Sequence, residues 1–143
     1  MKYYNFLKVV LVLGAILNIG QSFMYFNGTV YLQNGLEPDL VYSKFPDMKF
    51  VDIAFGMIII ALSGFQLYVR NQLKFKTKCA PNLIVTLHAI SFVPTMIYNV
   101  CAGFIFGDIY GAIPSIVPAL IISPIYAYIT YVYFSKRKFI FIN

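Results

Sequence analysis

Four apolar stretches of spanning length run through this 143-residue chain, over 6–26, 50–69, 81–105 and 112–134. A helix needs about 20 such residues to cross the roughly 30 Å hydrocarbon core of a bilayer. In lipid each backbone N–H and C=O must be satisfied without water, which restricts spanning segments to helices or closed barrels. Four helices with short connections nearly use up the sequence. The expected fold is therefore a single all-α membrane domain over 1–143, a four-transmembrane-helix bundle with a longer loop between helices 1 and 2.

Composition supports this reading. The chain is 60% hydrophobic and 11% charged, against about 45–50% and 25% for soluble domains; too few charges remain to coat a soluble surface. The net charge of +6 invites a nucleic-acid partner, but the basic residues sit in clusters bordering the apolar runs. That placement orients a membrane protein. Lys2, Lys8, Arg70, Lys74, Lys76, Lys78, Lys136, Arg137 and Lys138 fall on one side, and Lys44 and Lys49 on the other with all five acidic residues. The positive-inside rule then predicts both termini in the cytoplasm. Met1 to Ser22 also has the basic start and small-residue end of a secretory signal, although the retained-span reading is preferred.

The first connection, 27–49, contains Asn34-Gly35 between apolar runs, a hairpin signal weakened by Pro38. Asn27-Gly28-Thr29 matches a glycosylation acceptor but hugs the membrane end of the first span. Tyr25, Tyr68, Tyr110, Tyr131 and Tyr133 fall near span ends, where amphipathic rings favour the headgroup layer. Cys79 and Cys101 are expected about 33 Å apart along one helix, so no disulfide joins them.

Polar side chains inside spans tend to face the bundle interior. His88, Ser91, Thr95 and Asn99 share one face of the third span at spacings of three and four. Gly14, Asn18, Ser22 and Tyr25 do so in the first span, and Asp52, Gly56, Ser63 and Gln66 in the second. Helical rise predicts two polar layers. The outer one sets Asp52 level with Asn99 and with Ser22 or Tyr25; the inner one sets His88 level with Ser63, Gln66 and Tyr128. The candidate pathway or interhelical contacts are thus Asn18, Ser22, Asp52, Ser63, Gln66, His88, Ser91, Thr95 and Asn99. Packing glue is the default role for the neutral ones, a hydrogen-bonded structural role for His88, and capping of a helix N-terminus for Asp52. An ion- or proton-coupled pathway is the competing role. Pro94, Pro118 and Pro124 are expected to kink their helices, leaving carbonyls for neighbouring hydroxyls to satisfy.

No catalytic set, phosphate loop or multi-histidine metal site is visible, so neither enzyme activity nor a cofactor or metal is expected. Two functions remain: an accessory or interaction subunit of a membrane assembly, or a small oligomeric channel or cation- or proton-coupled transporter. The expected partners are the bilayer, with anionic inner-leaflet lipids against the basic clusters, and other membrane subunits or further copies of the chain. The apolar tail from Phe139 to Asn143 is expected to enter the interface or dock on a partner. The Lys, Ile, Tyr and Phe bias resembles that of small membrane proteins from low-GC bacteria, which implies a bacterial cytoplasmic membrane. Small multidrug exporters are similar in size and span number, but where they carry a first-span glutamate this chain offers Asn18, Gln21 and Ser22.

Overall fold

The computed structural model describes residues 2–141. Met1, Ile142 and Asn143, with the side chains at positions 2, 109–112, 115, 119 and 138, Tyr110 among them, lie outside the described residues. The described chain is helical, with helices α1 (Lys2–Phe26), α2 (Pro38–Lys44), α3 (Pro46–Lys74), α4 (Ala80–Ile90), α5 (Val93–Phe106) and α6 (Ile109–Ser135). Four units are long and apolar enough to cross a membrane: Tyr3–Phe26, Pro46–Lys74, Ala80–Phe106 and Ile116–Ser135.

Helix boundaries follow local chemistry. Pro46 occupies the first turn of α3, beside Asp47, where its missing N–H is no loss. Phe45, just before it, is held at φ −132° and ψ 76°, out of helical geometry as a residue preceding proline should be. α3 then continues past Arg70 to Lys74, because a charge ends the apolar run without ending the helix. The third span is not one helix. α4 stops at Ile90, Ser91 and Phe92 form a turn, and α5 starts at Val93 with Pro94 in its first turn. Pro94 has no N–H to offer the Ile90 carbonyl. The His88 carbonyl accepts the Ser91 hydroxyl at 3.2 Å and also the Ser123 hydroxyl of α6. α6, by contrast, is a single helix across Pro114, Pro118 and Pro124. α5 ends on Gly107 at φ 72°, and the Asp108 N–H closes back onto the Gly103 carbonyl at 2.9 Å, a glycine-terminated cap.

The Asn34-Gly35 signal does not make a hairpin. Gly28 and Gly35, both left-handed at φ 69° and 71°, bracket a 3₁₀ segment, Thr29–Asn34. Pro38 then begins α2, with Asp39 in its first turn and Lys44 in its last, charges that suit the helix dipole. The residues that suggested paired strands are coiled into two short helices lying over the end of the bundle. We call this the loop end, and the opposite one the basic end.

α1 lies along α3; α3 packs on α4 and α5; α4 and α5 pack on α6. At the basic end Leu7 and Leu11 of α1, Val69 and Leu73 of α3, Ile84 and Leu87 of α4 and Phe134 of α6 form one apolar cluster. Lipid tails are as apolar as these side chains, so the cluster holds by close packing rather than by escape from water. The Tyr3 hydroxyl meets Thr130 of α6 at 3.1 Å. Phe141 is buried against Tyr4 and Phe134, so this part of the tail docks on its own bundle rather than on a partner, while Phe139 stays exposed. Cys79 and Cys101 are free thiols.

Candidate functional site: a tyrosine-clamped aspartate above a polar cleft

Asp52 is fully buried. It lies one and a half turns inside α3, with Phe45 as the flanking N-terminal residue, so it does not cap the helix. Instead three tyrosine hydroxyls converge on it. Tyr31, from the 3₁₀ segment, and Tyr42, from α2, donate to Oδ2 at 2.8 and 2.9 Å. Tyr98, from α5, donates to Oδ1 at 2.9 Å. An ionised carboxylate only accepts hydrogen bonds, and bonds of this charge-assisted kind are roughly twice as strong as neutral ones. Burial, reinforced by the neighbouring Asp52 carboxylate, pushes the Tyr31 and Tyr42 phenols well above their ordinary pKa. Both remain donors through the physiological range. The clamp thus ties both loop helices and α5 to one atom group on α3.

An aromatic layer lies beside the clamp. Phe55 stacks on Tyr98 at 4.5 Å between ring centres, and Tyr25 meets both edge-on at 4.8 and 5.1 Å. Tyr25 is therefore a core residue rather than a headgroup anchor. Tyr133, another expected anchor, packs edge-on to Tyr3 and Phe134 and carries the Arg137 guanidinium 4.2 Å from its ring centre. Tyr68 and Tyr131 are exposed at span ends. Gly56 makes room for the ring of Phe26: a Cβ there would stand 2.6 Å from it.

At the depth where α4 gives way to α5, a cavity of about 210 Å³ opens between α1, α3 and the interrupted span. Asn18, Gln21, Gln66, Ser91 and Thr95 supply its polar wall. Asn18 Nδ2 donates to Gln66 Oε1 at 3.2 Å, and Gly14 lies against the Gln66 amide. Gln21 and Thr95 are exposed, so the cavity is a cleft in the side of the bundle rather than a sealed chamber.

The sequence candidates divide by location. Asn18, Gln66, Ser91 and Thr95 line this one cleft. Ser22 and Ser63 are buried, and each turns its hydroxyl onto its own helix, to the Ile19 carbonyl at 2.7 Å and the Ile59 carbonyl at 2.8 Å. Asn99 donates to the Thr95 carbonyl at 2.8 Å and faces a separate pocket at the loop end. His88 does not join an inner layer with Ser63 and Gln66. It turns toward α6, where it lies 6.1 Å from the Tyr126 ring and borders Pro118 and Ser123, while its neighbour Leu87 takes the place beside Gln66. Tyr128, expected level with His88, is exposed. The three clamp tyrosines escaped the sequence reading. Tyr31 and Tyr42 lie in the connection 27–49, where no helical period gives their direction, and Tyr98 falls between the polar stripe positions of its span. No group of three potential metal ligands occurs among the described residues.

Comparison with protein-family models, curated proteins and solved structures finds no match to this chain.

Proposed function

We propose that the chain is a non-catalytic membrane subunit whose polar cleft seats a transmembrane helix of a partner. The observation that carries this reading is the exposure of Gln21 and Thr95 on the cleft wall, within apolar spans. Gln21 shares one hydrogen bond with Tyr25, and amide and hydroxyl valences left facing hydrocarbon are costly unless hydrogen-bonded. A neighbouring helix carrying polar or small residues would satisfy them, as interhelical polar contacts do in membrane bundles. Asp52 would serve assembly indirectly, by fixing α5 and the loop end against α3. The charge asymmetry supports an orientation with both termini and the basic end in the cytoplasm, and the bias of composition fits a bacterial cell membrane.

The test is site-specific photocrosslinking in native membranes, with benzoylphenylalanine placed singly at positions 21, 95 and, as a lipid-facing control, 129. Adducts of one size at 21 and 95, absent at 129 and lost when Asn18→Leu and Gln66→Leu make the wall apolar, are expected. Lipid adducts alone, or the same protein adduct at 129, would overturn the reading.

A second reading, an oligomeric transporter or channel, draws on the interruption at Ser91–Phe92 beside the polar wall. Broken helices near the middle of a bilayer are a recurrent means of forming solute sites. Cation or proton flux in proteoliposomes that Gln66→Leu abolishes in the folded protein would favour it over the first.

A further inference from the structure

We infer that the pocket at the loop end, between α5 and the 3₁₀ segment, binds a small organic cation of the alkylammonium or quaternary ammonium class. The pocket encloses about 360 Å³ and is separate from the cleft. Four aromatic side chains line it, Tyr25, Tyr31, Tyr98 and Phe106, together with Asn34, Asn99 and Asp108. No lysine or arginine is among its lining residues.

Each part favours positive charge. Aromatic faces attract cations through their quadrupole, and most strongly those that shed water easily, as alkylammonium ions do. Tyr31 and Tyr98 both donate their hydroxyl protons to the buried Asp52 carboxylate. Such a bond draws the phenol proton away and leaves the ring richer in electrons. Asn99 donates one Nδ2 proton to the Thr95 carbonyl, and its amide oxygen adds an acceptor. Asp108 adds a carboxylate at the exposed rim. The pocket also adjoins the C-terminal turn of α5, through Gly103 and Phe106, where the helix dipole is negative. A hydrated metal ion would prefer several oxygens and no rings. The ring-rich wall argues instead for a cation with a methylated or alkyl surface.

The test uses the full chain purified in a neutral maltoside detergent, titrated with tetramethylammonium chloride against sodium chloride at constant ionic strength. Tyrosine emission is a clean readout because the chain has 12 Tyr and no Trp. A saturable change in emission, with a matching rise in melting temperature, is expected for tetramethylammonium and not for sodium. Phe106→Leu alters an exposed side chain, and Asp108→Asn keeps the size and hydrogen-bonding reach of its own, so both variants should fold. Each is expected to weaken the apparent Kd about two- to fivefold, the span of one exposed cation–π or ion-pair contact. An equal response to sodium, saturation by calcium chloride instead, or wild-type affinity in both variants would overturn the inference.

Discussion

Replacing Tyr31 by phenylalanine removes one oxygen from a buried clamp and leaves the ring in place, so its effect isolates a single hydrogen bond. Tyr31 is buried and its hydroxyl donates to Asp52 at 2.8 Å. A bond to a charged partner contributes about 1.5–3 kcal/mol, and the Asp52 oxygen keeps one further donor, Tyr42. We expect Tyr31→Phe to cost about 1.5–3 kcal/mol, and Tyr42→Phe less, because the half-buried Tyr42 lies nearer water. The sign should depend on Asp52. In an Asp52→Leu background the Tyr31 hydroxyl loses its carboxylate acceptor and keeps only the weaker, neutral Tyr98 hydroxyl as a partner, and an under-satisfied buried donor costs up to about 1–3 kcal/mol. Deleting that hydroxyl should then be neutral or stabilising. The assay is equilibrium unfolding in mixed micelles, followed by circular dichroism, across the double-mutant cycle. A Tyr31→Phe cost that is the same in both backgrounds would show that the clamp energy does not pass through Asp52.

Two more expectations follow from the same region. Gly56→Ala should destabilise by about 1–3 kcal/mol, because its Cβ would stand 2.6 Å from Phe26; Phe26→Leu should recover most of the loss, and a harmless Gly56→Ala refutes the close approach. The raised phenols of Tyr31 and Tyr42 make the loop end sensitive to alkali. Their contribution is complete below the unfolded pKa of about 10 and declines as pH climbs toward the higher folded values. Unfolding scans from pH 8 to 12 should show this decline in the wild type and a shallower one in the Tyr31→Phe, Tyr42→Phe double variant, and equal slopes would refute it.

Much of the architecture was legible in the residues. Four long apolar runs leave a chain few alternatives to four spanning helices, since lipid accepts only backbone that satisfies itself. Helical spacing also selected Asn18, Gln66, Ser91 and Thr95, which line one cleft. Period alone gives a face within one helix, not the neighbour that face will meet. His88 shares the stripe with Ser91 yet turns to α6, and Ser91 itself borders both the cleft and the pocket at His88, because one helical stripe is wide enough to meet two neighbouring helices. The loop was hardest to read. Asn34-Gly35 suits a hairpin, but two left-handed glycines and Pro38 can equally delimit short helices.

The sequence by itself determined the number of spans, their approximate limits and the segregation of charge, because those depend on local transfer free energy and backbone satisfaction. Only the tertiary structure decided what Asp52 does. Its three donors come from positions 21 and 10 residues before it and 46 after, and no local periodicity encodes the meeting of groups so far apart along the chain. The pairing of Asn18 with Gln66, 48 residues away, has the same character: each residue's polarity is written locally, while its partner is chosen by the packing of helices.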